Sequence, residues 1–172
     1  MVKEKSSLYI KQDDITDIDK IDEYNQEYLS LYPDFKPFVT KENFSDFLEE
    51  VNNKKQGINN NGVKELFYFA IEDNKIVGHG SIRLNPEINE ETLKFSGHIM
   101  YGVVPSKRKK GYGTRILKLL LEESKKYNLS EVIITCNVSN IGSNKIILNN
   151  NGEFIEKVIC DNVETNRYKI KI

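Results

Sequence analysis

The sequence predicts a single α/β domain of the α+β type, with a sheet flanked by about four helices. Three observations carry the prediction. Leu66 to Ile71 and Lys75 to Leu84 are dense in apolar residues and flank Asp73-Asn74, a hairpin signature. Ile116, Leu117, Leu120, Leu121 and Ser124 line one side of a helix whose other side carries Arg115, Lys118, Glu122, Lys125 and Lys126. Between an apolar strand ending at Pro105 and that helix stands Lys107-Arg108-Lys109-Lys110-Gly111-Tyr112-Gly113-Thr114.

Taken in order, Ser7 to Lys11 alternates and reads as a first strand, and Asp13-Asp14-Ile15-Thr16 supplies helix-start chemistry. Ile18, Ile21, Tyr24, Tyr28, Leu31 and Tyr32 then recur at helical spacing until Pro33 ends the helix. Thr40 is the expected cap of a second helix carrying Phe44, Phe47, Leu48 and Val51, which fades into the polar stretch from Asn52 to Gly62. After the hairpin, Asn85 to Glu91 reads as a loop and Leu93 to Val104 as the next strand. Beyond the glycine turn and its helix come a β-branched strand from Glu131 to Thr135 and a helix from Ser139 to Asn150. Asn151-Gly152 is that helix's left-handed stop. Phe154 to Ile159 and Glu164 to Ile172 complete the chain as two strands. No internal repeat or linker divides residues 1–172, a length suited to one domain with a proper core.

Composition excludes several classes. Charged residues make up 30% of the chain, yet the formal net charge is −1, so no basic field exists for nucleic acid. No apolar run approaches the roughly 20 residues of a membrane span, and no signal peptide precedes the first strand, so a cytoplasmic protein is expected. Cys136 and Cys160 lack the spacing of zinc or redox motifs. The acidic cluster Asp13, Asp14, Asp17, Asp19 and Asp22 lacks the glycine and terminal glutamate of a calcium loop and reads as a solvated helix start, so no metal is expected.

The turn at 107–114 has the layout of an anion site. A helix start leaves backbone N–H groups without partners and carries partial positive charge. Glycine at 111 and 113 removes Cβ atoms that would hold a phosphate away, and the cations add positive charge. A solvated basic loop or a targeting patch would explain the charge but not its place between a strand and a Gly-x-Gly helix start. A Walker P-loop run is absent, and a dinucleotide fingerprint would need a third glycine where the chain has Ile116.

Val103-x-Pro105-x-x-Arg108-x-x-Gly111-x-Gly113 resembles the acetyl-CoA signature of the GNAT superfamily of N-acetyltransferases. Asn140-x-x-Ser143 resembles that superfamily's later cofactor motif, followed here by Gly152 and Phe154. Leu93, Gly97-His98-Ile99-x-Tyr101 and Pro105-Ser106-x-Arg108 are similar to a bacterial group of predicted acetyltransferases with unassigned substrate. The resemblance spans roughly residues 66 to 159. It implies a mixed, mostly antiparallel central sheet, a cofactor-binding core over about 93–154 and acceptor-site helices over about 14–56.

The resemblance further implies acetyl-CoA as co-substrate. Its phosphates would lie over Arg108, Lys109, Lys110, Gly111, Tyr112, Gly113 and Thr114, held mainly by backbone N–H groups, with Arg108 free to brace the turn. The pantetheine arm would lie along Tyr101 to Val104, near Asn140, Ser143 and Lys145, with the N–H of Val103 or Val104 as oxyanion donor. Transfer to a primary amine needs no enzyme nucleophile, only a neutral amine and a proton for the leaving thiolate. His98 is the first candidate for base, its structural alternative being a strand histidine held by hydrogen bonds. His79, between Gly78 and Gly80, is the second. Many relatives carry a tyrosine seven residues after the motif asparagine, where this chain has Ile147; Tyr101, Tyr112 or water would then serve. Tyr101 and His98 stand at an odd spacing, which only a bulge could bring to one face.

The acceptor pocket would be built from the first two helices and the loops near 33 to 38 and 85 to 92, where Glu23, Tyr24, Glu27 and Tyr28 could hold a cationic small-molecule amine or form half a core face and half a solvated one. A CoA-binding sensor without catalysis is the alternative function. An exposed terminal strand could pair with a second copy.

Overall fold

The computed structural model describes residues 8–12 and 18–172. Strand β1 (Tyr9–Gln12) precedes helices α1 (Ile18–Leu31) and α2 (Phe44–Gln56). The hairpin β2 (Glu65–Glu72) and β3 (Lys75–Arg83) leads through short 3-10 and π turns to β4 (Ile99–Val103). Helix α3 (Tyr112–Lys125), β5 (Glu131–Asn137), α4 (Ile141–Asn149), β6 (Glu153–Cys160) and β7 (Val163–Lys171) follow. The strands form two sheets, β1-β2-β3-β4 and β5-β7-β6, whose ladders are all antiparallel. They meet at one bridge, Gly97 with Ile134, and part beyond it.

Helix α3 forms as its periodicity requires. Ile116, Leu117 and Leu120 are fully buried against β3 and β4, each contributing about 1.5–3 kcal/mol by removal from water. Helices α1 and α2 cover the opposite face, where Ile21, Tyr24 and Val51 are buried against β2 and β3. Among the described residues no helix is long and apolar enough to cross a membrane.

Four local expectations are corrected. Leu93 to Val104 is not one strand: Thr92–Ser96 winds into a π turn, closed by Gly97 N–H on Thr92 O at 2.8 Å and capped by Asn89 Oδ1 on Thr92 N at 2.8 Å. Gly97 then adopts φ 64°, and the strand starts only at Ile99. Thr40 does not cap α2 directly. Its N–H donates to Asn43 Oδ1 at 2.5 Å, a turn that sets Asn43 at the helix start. Asn151 takes the left-handed stop after α4, while Gly152 does not. The C-terminal strand is no edge: β7 is paired on both sides, and β6 is the outer strand. Asp13 to Thr16 and Ser7 lie outside the described residues.

Candidate functional site

The turn between β4 and α3 divides its four cations by task. Lys107 points inward to Glu72 at 3.5 Å, and Arg115 meets the same carboxylate at 3.5 Å. The Tyr112 hydroxyl donates to Glu72 as well. Glu72 is only 5% exposed. Burial pushes its pKa up, but the tyrosine bond and the two cations outweigh that and hold it below the ordinary carboxylate value. Arg108 turns back toward the sheet, donating from Nε to Val103 O at 3.1 Å and from a guanidinium nitrogen to Tyr32 Oη at 2.7 Å. Its guanidinium also lies 5.6 Å and 5.5 Å from the Tyr28 and Tyr32 ring centres. Lys109 and Lys110 are left facing solvent.

Lys109 at φ 57° and Gly111 at φ 83° fold the backbone back on itself. Among the described residues, the N–H groups of 109–114 find no acceptor. Six unpaired donors at the positive end of a helix have the chemistry to hold an anion. A side chain at Gly111 would project into open space. Gly113 differs from expectation: its Cβ would stand 2.4 Å from Ile146 Cδ1, so this glycine lets α3 approach α4 and only its N–H faces the turn.

Register decides what lies along β4. Arg83 N–H donates to His98 O at 2.7 Å and Val104 N–H to Val77 O at 3.1 Å. The alternation of an antiparallel ladder therefore directs Met100 and Gly102 toward β3, and the main-chain groups of Tyr101 and Val103 away from it. Of the two expected oxyanion donors, Val104 is already occupied and Val103 is not. The carbonyl of Val103 accepts from Arg108 and from Tyr28 Oη at 3.0 Å. On the other bank, Val138 N–H on Glu164 O sets the same alternation, so Thr135 and Asn137 face the gap. Between them is a cleft of about 340 Å³, lined by Tyr101, Thr135, Cys136, Asn137, Asn140 and Ser143. This cleft and the donors at 109–114 offer the hydrogen-bonding chemistry that the arm and the phosphates of the expected CoA require.

Asn140 Oδ1 caps α4 through Ser143 N–H at 3.0 Å. Tyr101 Oη meets Ser143 Oγ at 2.7 Å, and burial raises the phenol pKa to about 12. Burial also raises the Cys136 thiol. Lys145 is exposed on α4, and Ile147 is fully buried. His98 lies at the junction of the two sheets. Its N–H donates to Ile133 O at 2.7 Å, and its Nδ1 accepts from Ile133 N–H at 3.0 Å. The imidazole thus stands in for a ladder bond between the two sheets, and burial lowers its pKa.

The four α1 residues do not gather into a pocket. Glu23 is exposed and pairs with Lys75 at 3.1 Å, while Glu27 accepts the Ser106 N–H at 2.6 Å. Tyr28 holds Val103, and Tyr24 Oη meets His79 Nδ1 at 2.6 Å. These contacts brace β3, β4 and the turn from α1. The cavity on this face, about 260 Å³, is lined instead by Phe38, Phe47, Val51, Phe67, His79 and Met100, with Glu50, Lys54 and Glu65 at its margin. Gly102 lies under the His79 ring, whose Cε1 would be 2.4 Å from an added Cβ. Burial pushes the His79 pKa down to about 4. The sequence signal for this chamber was the pair Phe67 and Phe69 opposite Gly78-His79-Gly80. Phe38 and Phe47 lie within the 14–56 stretch expected to contribute to an acceptor site, although neither side chain is singled out by the sequence.

Comparison with known proteins agrees with this fold. The chain is similar in fold to the acetyl transferase from Salmonella typhimurium that modifies the N-terminal serine of ribosomal protein L7/L12. The TM-score is 0.69 at 15% identity, covering 98% of this chain and 96% of that one. It is similar to the aminoglycoside acetyltransferase AAC(6')-Ib in complex with coenzyme A, with a TM-score of 0.68, 15% identity and coverage of 96% and 95%. A third likeness is to yncA from Salmonella typhimurium with its cofactor acetyl-CoA, at TM-score 0.64, 12% identity and coverage of 95% and 93%. No curated protein matches the sequence significantly. The model of the acetyltransferase (GNAT) family matches residues 21–147, well over half of the chain. The unpaired edge of β4, the donor-rich turn at the start of α3 and this match lead to one conclusion: the chain belongs to the GNAT family of acetyltransferases.

Proposed function

We propose that the protein is an N-acetyltransferase that moves the acetyl group of acetyl-CoA to a primary amine by direct attack in a ternary complex. The observation that carries this reading is the strand edge at Tyr101 and Val103. Its N–H groups are released by β3, Tyr101 borders a 340 Å³ cleft, and the edge leads to the unpaired donors at 109–114.

In this reading the N–H groups of Lys109 to Thr114 hold the pyrophosphate, with Lys109 and Lys110 adding long-range attraction. The outward main-chain groups of Tyr101 pair with the pantetheine arm as a neighbouring strand would. Asn140, Ser143 and Lys145 border the arm from α4. The Val103 N–H is the donor toward the oxyanion, which develops as the amine nitrogen bonds to the thioester carbon. The carbon–sulfur bond then breaks, the sulfur leaves with the electron pair, and it takes a proton from Tyr101 Oη. A phenol with pKa about 12 remains protonated at neutral pH, and Ser143 Oγ at 2.7 Å leads to solvent for its reprotonation. The proton on the nitrogen of the tetrahedral intermediate leaves to water in the open cleft, so that the product is the neutral amide. His98 acts as a positioning residue, since using Nδ1 as a base would break its bond to Ile133.

Release of free thiol from acetyl-CoA, followed across alkylamines, amino acids, aminoglycosides and peptides, tests the reading. Acetylated amine should accumulate in step with thiol. Tight CoA binding without turnover on any acceptor would refute it in favour of a binding domain.

A further inference from the structure

From the chamber on the α2 side of β4, we infer that the acceptor is an arylalkylamine: one aromatic ring joined to a primary amine by a short chain, with no second positive charge. The inference rests on the acetyltransferase reading and adds the substrate class to it.

The walls of the chamber are aromatic and already in mutual contact. Phe38 lies 5.6 Å from Phe67 and 5.4 Å from His79 between ring centres, and Phe67 stacks on His79 at 6.2 Å with 12° between planes. Phe47 meets Phe67 edge-on at 5.6 Å. Such a box favours a flat apolar guest, which can stack or approach edge-on without rearranging it.

The volume limits the guest. An apolar cavity of about 150 Å³ holds benzene, so 260 Å³ accommodates about ten non-hydrogen atoms on the same scale. A ring with a two- or three-atom arm fits. A sugar-linked polyamine does not.

Charge limits it further. Every carboxylate at the margin already has a cation: Glu50 pairs with Lys54 at 2.5 Å, and Glu65 pairs with Arg83 at 3.1 Å while accepting from Ser81 Oγ at 2.5 Å. Glu65 and Arg83 are also largely buried, at 12% and 15% side-chain exposure, so neither is available to a mobile ligand. Buried at low pKa, His79 is neutral at physiological pH. The chamber therefore presents no uncompensated negative charge to a polycation, and bringing several ammonium groups into it would incur desolvation without repayment.

Position supplies the arm length. Met100 borders both the chamber and the CoA cleft. His79 stands opposite Gly102, next to Val103. A ring beside His79 thus needs only a short arm to bring its nitrogen to the Val103 edge, given a strand rise of about 3.3 Å per residue.

The test compares kcat/KM for 2-phenylethylamine, ethylamine and kanamycin in the thiol-release assay, together with calorimetric binding of 2-phenylethylamine in the presence of CoA. The aryl amine should exceed both others by about a hundredfold, because the whole ring is bound through apolar contact. Phe47→Trp, which fills the chamber from α2, should lower the ratio of 2-phenylethylamine to ethylamine at least about tenfold. Met100→Trp narrows the mouth from the exposed strand edge, serves if the first variant fails to fold and should lower the same ratio. Turnover of ethylamine or kanamycin equal to that of the aryl amine overturns the inference and leaves acetyl transfer standing. Saturable binding of 2-phenylethylamine without turnover of any amine upholds the chamber and overturns the proposed function. Absence of both binding and turnover of 2-phenylethylamine overturns the inference, and acetyl transfer is then decided by the wider panel of amino acids and peptides.

Discussion

Replacing His79 by phenylalanine should remove a specific pH dependence from the stability of the fold. Burial lowers the imidazole pKa from 6.5 to about 4. Between those values the unfolded chain carries a proton that the folded chain excludes. The contribution is complete above the unfolded value and declines as the pH falls toward the folded one. Linkage gives a loss of about 2 kcal/mol between pH 7.5 and pH 5, rising to about 3 kcal/mol at pH 4. For a chain of 172 residues, 2 kcal/mol corresponds to about 4–8 °C in Tm. The assay is urea or thermal unfolding of wild type and His79→Phe at pH 7.5, 6 and 5. The variant loses the Tyr24 bond and starts less stable, but its decline with pH should be smaller than that of the wild type by this amount. His98, whose pKa is also lowered by burial, titrates in both proteins and cancels. Glu72 and the ordinary carboxylates act below about pH 4.5, outside the window. Parallel decline of the two proteins from pH 7.5 to 5 would refute a buried neutral imidazole, and with it the uncharged chamber.

Gly111→Trp should abolish acetyl-CoA binding, measured by calorimetry, because the indole would occupy the open space over the unpaired N–H groups. The fold should survive, at a cost of about 1–2 kcal/mol for a left-handed residue other than glycine at φ 83°. Unaltered affinity would remove the turn from the cofactor site. Tyr101→Phe should lower kcat about ten- to a hundredfold while changing the KM for acetyl-CoA less than about twofold. A poorer thiol leaving group should widen that gap between variant and wild type. If kcat is unchanged, the proton reaches the sulfur from elsewhere.

Much of the fold was legible because local signals agreed. Helix α3 carries one apolar stripe with charges opposite, the β2-β3 hairpin has Asp73-Asn74 between two apolar runs, and both elements formed where expected. The segment Leu93 to Val104 was misread because Leu93, Phe95, Ile99 and Tyr101 satisfy a strand's alternation. Asn89 nevertheless caps a π turn at Thr92, and Gly97 turns the chain before β4 begins. A short apolar run does not carry enough periodicity to separate the two states.

By itself the sequence determined the turn at 107–114, the helix that follows it and the family to which they belong. These depend on residue type and spacing within a few positions of one another. Only the tertiary structure decided the rest. It assigned Gly113 to the α3–α4 contact, Lys107 to Glu72 and Arg108 to Val103, although all three stood in the same motif. It chose Val103 over Val104 as the free N–H, a matter of register against β3. It bound His98 into the junction of the two sheets, and it engaged Glu23 with Lys75 and Glu27 with the Ser106 N–H instead of gathering them into a pocket. Each of those outcomes depends on which strand or helix lies opposite, and partners far apart in sequence leave no local signal of one another.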